Sequence, residues 1–216
     1  MTDKQLHDEI LAELSFEPEV HPERIGVSVE HGVATLSGHV ESYSQKLAAE
    51  CVVKRVYSAK AVVDDLEVRL PARDEVPDPD LAQAAVQAIE GLIQVPRDSI
   101  RITVRDGHLI LEGKVEWQYQ RQAVENAVRH LRGVRGVQNH IALTQPAAPG
   151  EVRQQIVAAL GRSADVEGAG ITVESCNGKV MLHGRVSCLR EREEAERAAW
   201  RASGVTEVEN RLAVVP

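Results

Sequence analysis

The sequence predicts an α+β chain of three tandem αββαβ domains. Each has a three-stranded mixed sheet with two helices on one face. Three observations carry that prediction. The strand "GVATLSGHV" at Gly32 to Val40 returns as "GHLILEGKV" at Gly107 to Val115, and again as "GKVMLHGRV" at Gly178 to Val186. With Leu6, Leu81 and Val152 in register, the next 62 positions align without a gap. All length variation falls in two connectors, one with Pro77 and Pro79, the other with Pro146 and Pro149. Self-similarity at a fixed period marks a repeat architecture, and proline-bearing joins are short and semi-rigid. The domains are read as residues 1–70, 78–145 and 149–216. Units of about 70 residues fold alone only marginally.

The elements follow in order. Leu6, Ile10 and Leu14 share one helical face, as do Leu81, Ala85, Ile89 and Val152, Ile156, Leu160. Asp78 before Pro79 reads as an N-cap with proline at the first helical position. A hairpin comes next. His31-Gly32, Asp106-Gly107 and Asn177-Gly178 stand where a two-residue primed turn is needed. That turn sets Val29 opposite Ala34, Val27 opposite Leu36 and Ile25 opposite Gly38. The later repeats give Val104/Leu109, Ile102/Leu111, Ile100/Gly113 and Ser175/Val180, Val173/Leu182, Ile171/Gly184. Cross-strand partners share a face, and only Ser175 is neither apolar nor glycine.

A second amphipathic helix carries Ala49, Val52, Val53 and Val56, matched by Val124, Ala127, Val128, Leu131 and by Ala195, Ala198, Ala199, Ala202. Gly133 and Gly204 stand at a left-handed C-terminal cap. Ser58 takes that place in the first repeat, so its helix end is expected to differ. The last strand has Val62, Leu66 and Val68 on one parity, with Val137, Ile141, Leu143 and Val208, Leu212, Val214 as equivalents. A right-handed crossover makes it parallel to the strand before the helix. The opposite sheet face is left open.

Composition narrows the function. Aromatics are 3% of the chain, so the cores are aliphatic, and Trp117 and Trp200 read as core filling, with interfacial anchoring as the alternative. The net charge of −8 disfavours nucleic acid, which needs phosphate neutralisation. The start "MTDKQLHDEI" shows no secretory signal. No apolar run nears the roughly 18 residues of a membrane span. Cys51, Cys176 and Cys188 are odd in number and fit reduced thiols in a cytoplasm. Whether Cys176 and Cys188 meet stays open. The eight histidines show no metal-ligand spacing, and no cofactor or nucleophile motif is present, so neither a cofactor nor an enzyme is expected.

Two sets of residues repeat. Gly32, Gly107 and Gly178 close the hairpins, while Gly38, Gly113 and Gly184 leave room opposite the facing Ile or for a crossing helix. Two basic or titratable columns are the candidate headgroup contacts: His39, Lys114, Arg185 on the outward face, and Lys46, Arg121, Arg192 opening the second helix. Glu50, Glu125 and Glu196 lie four residues after the second column and read as helical ion-pair partners. Asp64, Asn139 and Asn210 sit on the inward parity of the last strand, where they read as local backbone partners.

The strand "GVATLSGHV", the helix with Ala48 and Ala49, and the ends "VKRVYSAKAVVDDLEV", "AVRHLRGVRGVQNHIAL" and "AWRASGVTEVENRLAV" resemble the BON domain, named for bacterial osmotically inducible and nodulation proteins. The first repeat departs with Ser58 for Gly and Asp64 for Asn. The resemblance implies the αββαβ fold, a stress-response setting and a non-catalytic module for phospholipid or another small ligand. The expectation is a cytoplasmic, membrane-associated protein, peripheral at the inner membrane. The alternative is a structural protein self-assembling head-to-tail. It rests on the open sheet faces and on a charge split: residues 6–68 carry 5 basic and 12 acidic groups, residues 81–143 carry 8 and 6, and residues 152–214 carry 9 and 9.

Overall fold

A computed structural model describes residues 2–96, 99–144, 156–157, 171–176, 178–202 and 204–215. The first repeat runs α1 (Asp3–Phe16), β1 (Ile25–Glu30), β2 (Val33–Val40), α2 (Tyr43–Arg55) and β3 (Ala61–Val68). The second runs α3 (Asp78–Glu90), β4 (Ile100–Arg105), β5 (His108–Val115), α4 (Gln118–Val128) and β6 (Gly136–Leu143). The third shows β7 (Ile171–Cys176), β8 (Lys179–Val186), α5 (Leu189–Trp200) and β9 (Glu207–Val214). Each repeat has its own three-stranded sheet in that order, with the middle strand central. The described residues divide into two compact units. One joins most of the first repeat to the third; the other joins residues 39–47 and 66–68 to the second.

The hairpins hold the expected register. Ile25 faces Gly38, Ile100 faces Gly113 and Ile171 faces Gly184, and the other pairs follow. The turns explain why. His31 and Gly32 have φ of 52° and 81°, Asp106 and Gly107 of 50° and 76°, the paired positive values of a type I′ turn. Asn177 lies outside the described residues, and Gly178 has φ 83°. The third strand is parallel to the second. His108 pairs with Gly136 through to Val115 with Leu143, and Lys179 with Glu207 through to Val186 with Val214. In the first sheet Lys60 N–H donates to the Gly32 carbonyl and Arg69 N–H to the Val40 carbonyl, so both strands ascend together.

One face of each sheet is buried under helices. In the first repeat Leu6, Ile10, Leu14, Ala49, Val52 and Val53 of the helices are buried, as are Ala34, Leu36 and Leu66 of the strands. Leu81, Ala85, Val124 and Val128 close over Leu109, Leu111 and Ile141 in the second. In the third, Ile156, Ala195, Ala198 and Ala199 pack with Val180, Leu182 and Leu212. Val152 and Leu160, read onto the same first-helix face, lie outside the described residues.

Three local readings need correction. Asp78 is the first residue of α3, and Pro77 is its cap. The Asp78 carboxylate instead accepts from the amides of Asp106 and Gly107 at 2.8 and 3.0 Å. Asp3 does the same for His31 and Gly32. Ser58 does not change its helix end. It adopts φ 72°, beside 94° at Gly133 and 81° at Gly204. The hydrogen bonds that follow are the same three times: Ala59 N–H to Val56, Val134 to Leu131 and Val205 to Ala202. Third, the glycine facing Ile100 makes room for backbone, not for the isoleucine side chain or a helix. A Cβ on Gly113 would strike the Ser99 carbonyl oxygen, and one on Gly38 the Arg24 carbonyl oxygen.

The connector before α3 is held to the second repeat. Arg132 pairs with Asp74 at 3.1 Å and Arg135 with Glu75 at 3.5 Å.

Candidate functional site

The column that opens each second helix turns inward. Lys46 Nζ donates to the Leu66 carbonyl at 2.7 Å, Arg121 to the Asn139 carbonyl at 3.3 Å and Arg192 to the Asn210 carbonyl at 3.0 Å. Asn139 and Asn210 answer from the strand. Asn139 Nδ2 donates to the Arg121 carbonyl and to Glu125, and its Oδ1 accepts from Ile141 N–H. Asn210 repeats the set with Arg192, Glu196 and Leu212. The glutamates four residues on therefore bind the strand asparagine rather than form the expected helical pair. Helical spacing shows only neighbours on the helix, and the partner strand lies 18 residues away. In the first repeat Glu50 joins Lys54 at 2.8 Å.

The outward column differs from copy to copy. Lys114 and Arg185 are exposed and His39 is half-buried. On the third sheet the charges are matched locally. Lys179 lies 2.7 Å from Glu207 and 3.0 Å from Glu209, and Arg211 closes on Glu209. Hydrogen bonds from Lys179 and Arg211 hold the Glu209 carboxyl below its usual range, and those to Glu207 and Glu209 raise Lys179.

The end of the second repeat carries what the sequence reading missed. Gln45, Gln120 and Glu191 each accept, through the side chain, a backbone N–H just before their own helix. Only Gln120 is buried among them, and its Nε2 also donates to the Gln94 carbonyl at 2.6 Å. This one side chain thus ties the loop before β4 to the start of α4. The loop presents Ile93, fully exposed at 102%. The helix start presents Trp117, stacked on Tyr119 with ring centroids 6.4 Å apart; Tyr119 is 57% exposed. Lys114 stands three residues before Trp117, at the end of β5. Trp117 is therefore half-exposed at a tip rather than core filling. The signal was a departure from the repeat. Ser42 and Cys188 stand at the Trp117 position, Ser44 and Arg190 at that of Tyr119. Trp200, half-buried, packs on the third core.

Cys176 pairs with Lys179 at one end of β8, while Cys188 follows Val186 at the other. An eight-residue strand spans about 25 Å, far beyond disulfide reach. All three cysteines are free. No helix among the described residues is long and apolar enough to cross a membrane.

A family model described as the BON domain matches three times, at residues 2–69, 77–145 and 150–216. Among curated proteins, the chain is 28% identical over 145 residues to Osmotically-inducible protein Y of Escherichia coli (strain K12), covering 65% of this chain and 72% of that protein. Two solved structures of CdsD, a structural protein of the type III secretion system of Chlamydia trachomatis, align with it. The alignments cover 100% and 98% of this chain and 100% and 93% of theirs, at 15% and 16% identity and a TM-score of 0.28 each. Three family matches laid on three sheets of like order and register mean that the chain belongs to the BON domain family.

Proposed function

We propose that this chain is a non-catalytic module that docks on anionic phospholipid headgroups through the tip of its second repeat. The observation that supports this reading is the fully exposed Ile93 on the loop that Gln120 ties to the helix start carrying the Trp117–Tyr119 stack, with Lys114 three residues before Trp117. Burying an isoleucine side chain contributes about 1.5–3 kcal/mol. Trp and Tyr favour the headgroup level, and a cation at an anionic surface adds about 1 kcal/mol. The sum describes weak, reversible and salt-dependent binding. Lys114 and Arg185 remain available as headgroup contacts, with His39 half-buried beside them. Lys46, Arg121 and Arg192 act first as clamps on their own sheets. The free thiols favour a reducing compartment, hence the cytoplasmic face of the inner membrane. The osmotically inducible relative favours a stress role.

Co-sedimentation with phosphatidylglycerol vesicles tests it, with pure phosphatidylcholine vesicles as reference. The chain is expected to pellet with the anionic vesicles at low salt and to be released at high salt. Ile93→Asp is expected to abolish pelleting and Lys114→Glu to weaken it. A chain that stays in the supernatant at low salt overturns the proposal.

A further inference from the structure

The outer faces of the first two sheets are open and carry opposite charge. On the second sheet Arg101, Arg105 and Lys114 are exposed beside a single acid, Glu112. None of those three cations has a side-chain partner among the described residues. On the first sheet the exposed charges are Glu30, Asp65 and Glu67. Glu67 pairs with Arg69, whereas Glu30 and Asp65 have no partner among the described residues. The third face differs, because Lys179, Arg211 and their glutamates neutralise one another in place. Each open face also has an apolar residue near its middle: Val63, 41% exposed, on the first sheet and Ile110 on the second.

We infer that the basic outer face of the second sheet receives the acidic outer face of the first sheet of another copy of this chain. The two patches are different surfaces, so the contact is heterologous and leaves one free face at each end of a pair. Such contacts continue into rings or open chains. Three strands about 4.8 Å apart and eight residues long give a face of about 350–400 Å². Two such faces fall below the area of permanent interfaces, so the association is weak and reversible. Between solvent-exposed charges it is screened by salt. This inference shares Lys114 with lipid docking but rests on Arg101 and Arg105, which the Ile93 tip does not use.

Sedimentation velocity and light scattering without lipid test it, on the whole chain up to about 1 mM, where weak contacts fill. The average mass is expected to rise with concentration at low salt and to return to the 23.6 kDa monomer at high salt. The double variant Arg101→Glu/Arg105→Glu is expected to stay monomeric, and so is Glu30→Lys/Asp65→Lys. Mixing the two is expected to restore association, since each then offers what the other lacks. Circular dichroism like that of the unaltered chain shows that the variants are folded; if one is not, the concentration and salt series on the unaltered chain still decides. A strict monomer at low salt, association indifferent to salt, or a mixture of folded variants that stays monomeric overturns the inference. None of these outcomes depends on vesicle binding.

Discussion

The carboxylate of Asp78 accepts the Gly107 amide at 3.0 Å across 29 residues of chain, and the Asp106 amide at 2.8 Å. One side chain at the start of α3 thereby holds both amides of the hairpin turn. The turn's positive φ values aim these two N–H groups away from the ladder. An acid in the first turn of a helix is further favoured by the helix dipole, and a charged acceptor strengthens both bonds. Asp78→Ala leaves two amides without their acceptor, one of them in the buried Gly107, at a cost of about 1–3 kcal/mol. Faster hydrogen exchange at Gly107, and slower exchange in Asp78→Asn than in Asp78→Ala, is the expected result. Unchanged protection in Asp78→Ala contradicts the clamp.

Ser58 holds a left-handed backbone that its equivalents fill with glycine. It is also buried, and its Oγ has no hydrogen-bond partner among the described residues. The left-handed region costs a residue with a Cβ about 1–2 kcal/mol, and an unsatisfied buried hydroxyl adds to that. Ser58→Gly is therefore expected to raise the stability of the first repeat by about 1 kcal/mol, after the greater flexibility of glycine in the unfolded chain is offset. Slower exchange at the Ala59 and Lys60 amides reads this out. A loss of protection there shows that Ser58 makes a contact worth more than its strain.

These two residues show what a sequence can disclose. The hairpins were legible because two independent signals fix one register: the turn pair and the alternation of period two. Ile25 opposite Gly38 follows from either. Asp78 was misread because its surroundings match a capping pattern, while its partner lies 28 residues away. Arg121 and Arg192 were misread for the same reason; a helical neighbour is visible in sequence, a strand carbonyl is not. The tip was missed for a different reason. Ile93, Trp117 and Tyr119 are places where the second repeat stops resembling the others, and matching copies emphasises what they share. Structure is carried by the shared positions. The proposed contacts are carried by the unshared ones.

Lys54, on α2, supplies a test by pH. Its ammonium lies 2.8 Å from Glu50 and 2.6 Å from Glu193 on α5. Burial pushes its pKa down, but hydrogen bonds and charge from Glu193 and Glu50 outweigh that and leave it raised above 10.5. A lysine whose folded pKa is raised stabilises fully below its unfolded value and loses that contribution as pH climbs through the folded one. The contact between α2 and α5 should thus be constant from neutral pH to about 10 and fade above 10.5. Because Lys54 and Glu193 are partly exposed, its size is about 0.5–1 kcal/mol. Glu193→Gln removes most of it. Thermal melts of the two proteins should differ by a constant margin from pH 7 to about pH 10 and converge above pH 10.5. The margin should also shrink in high salt, since a pair this close to solvent is screened. A margin that stays unchanged once Lys54 has lost its proton would assign the effect of Glu193→Gln to helix packing rather than to the ion pair.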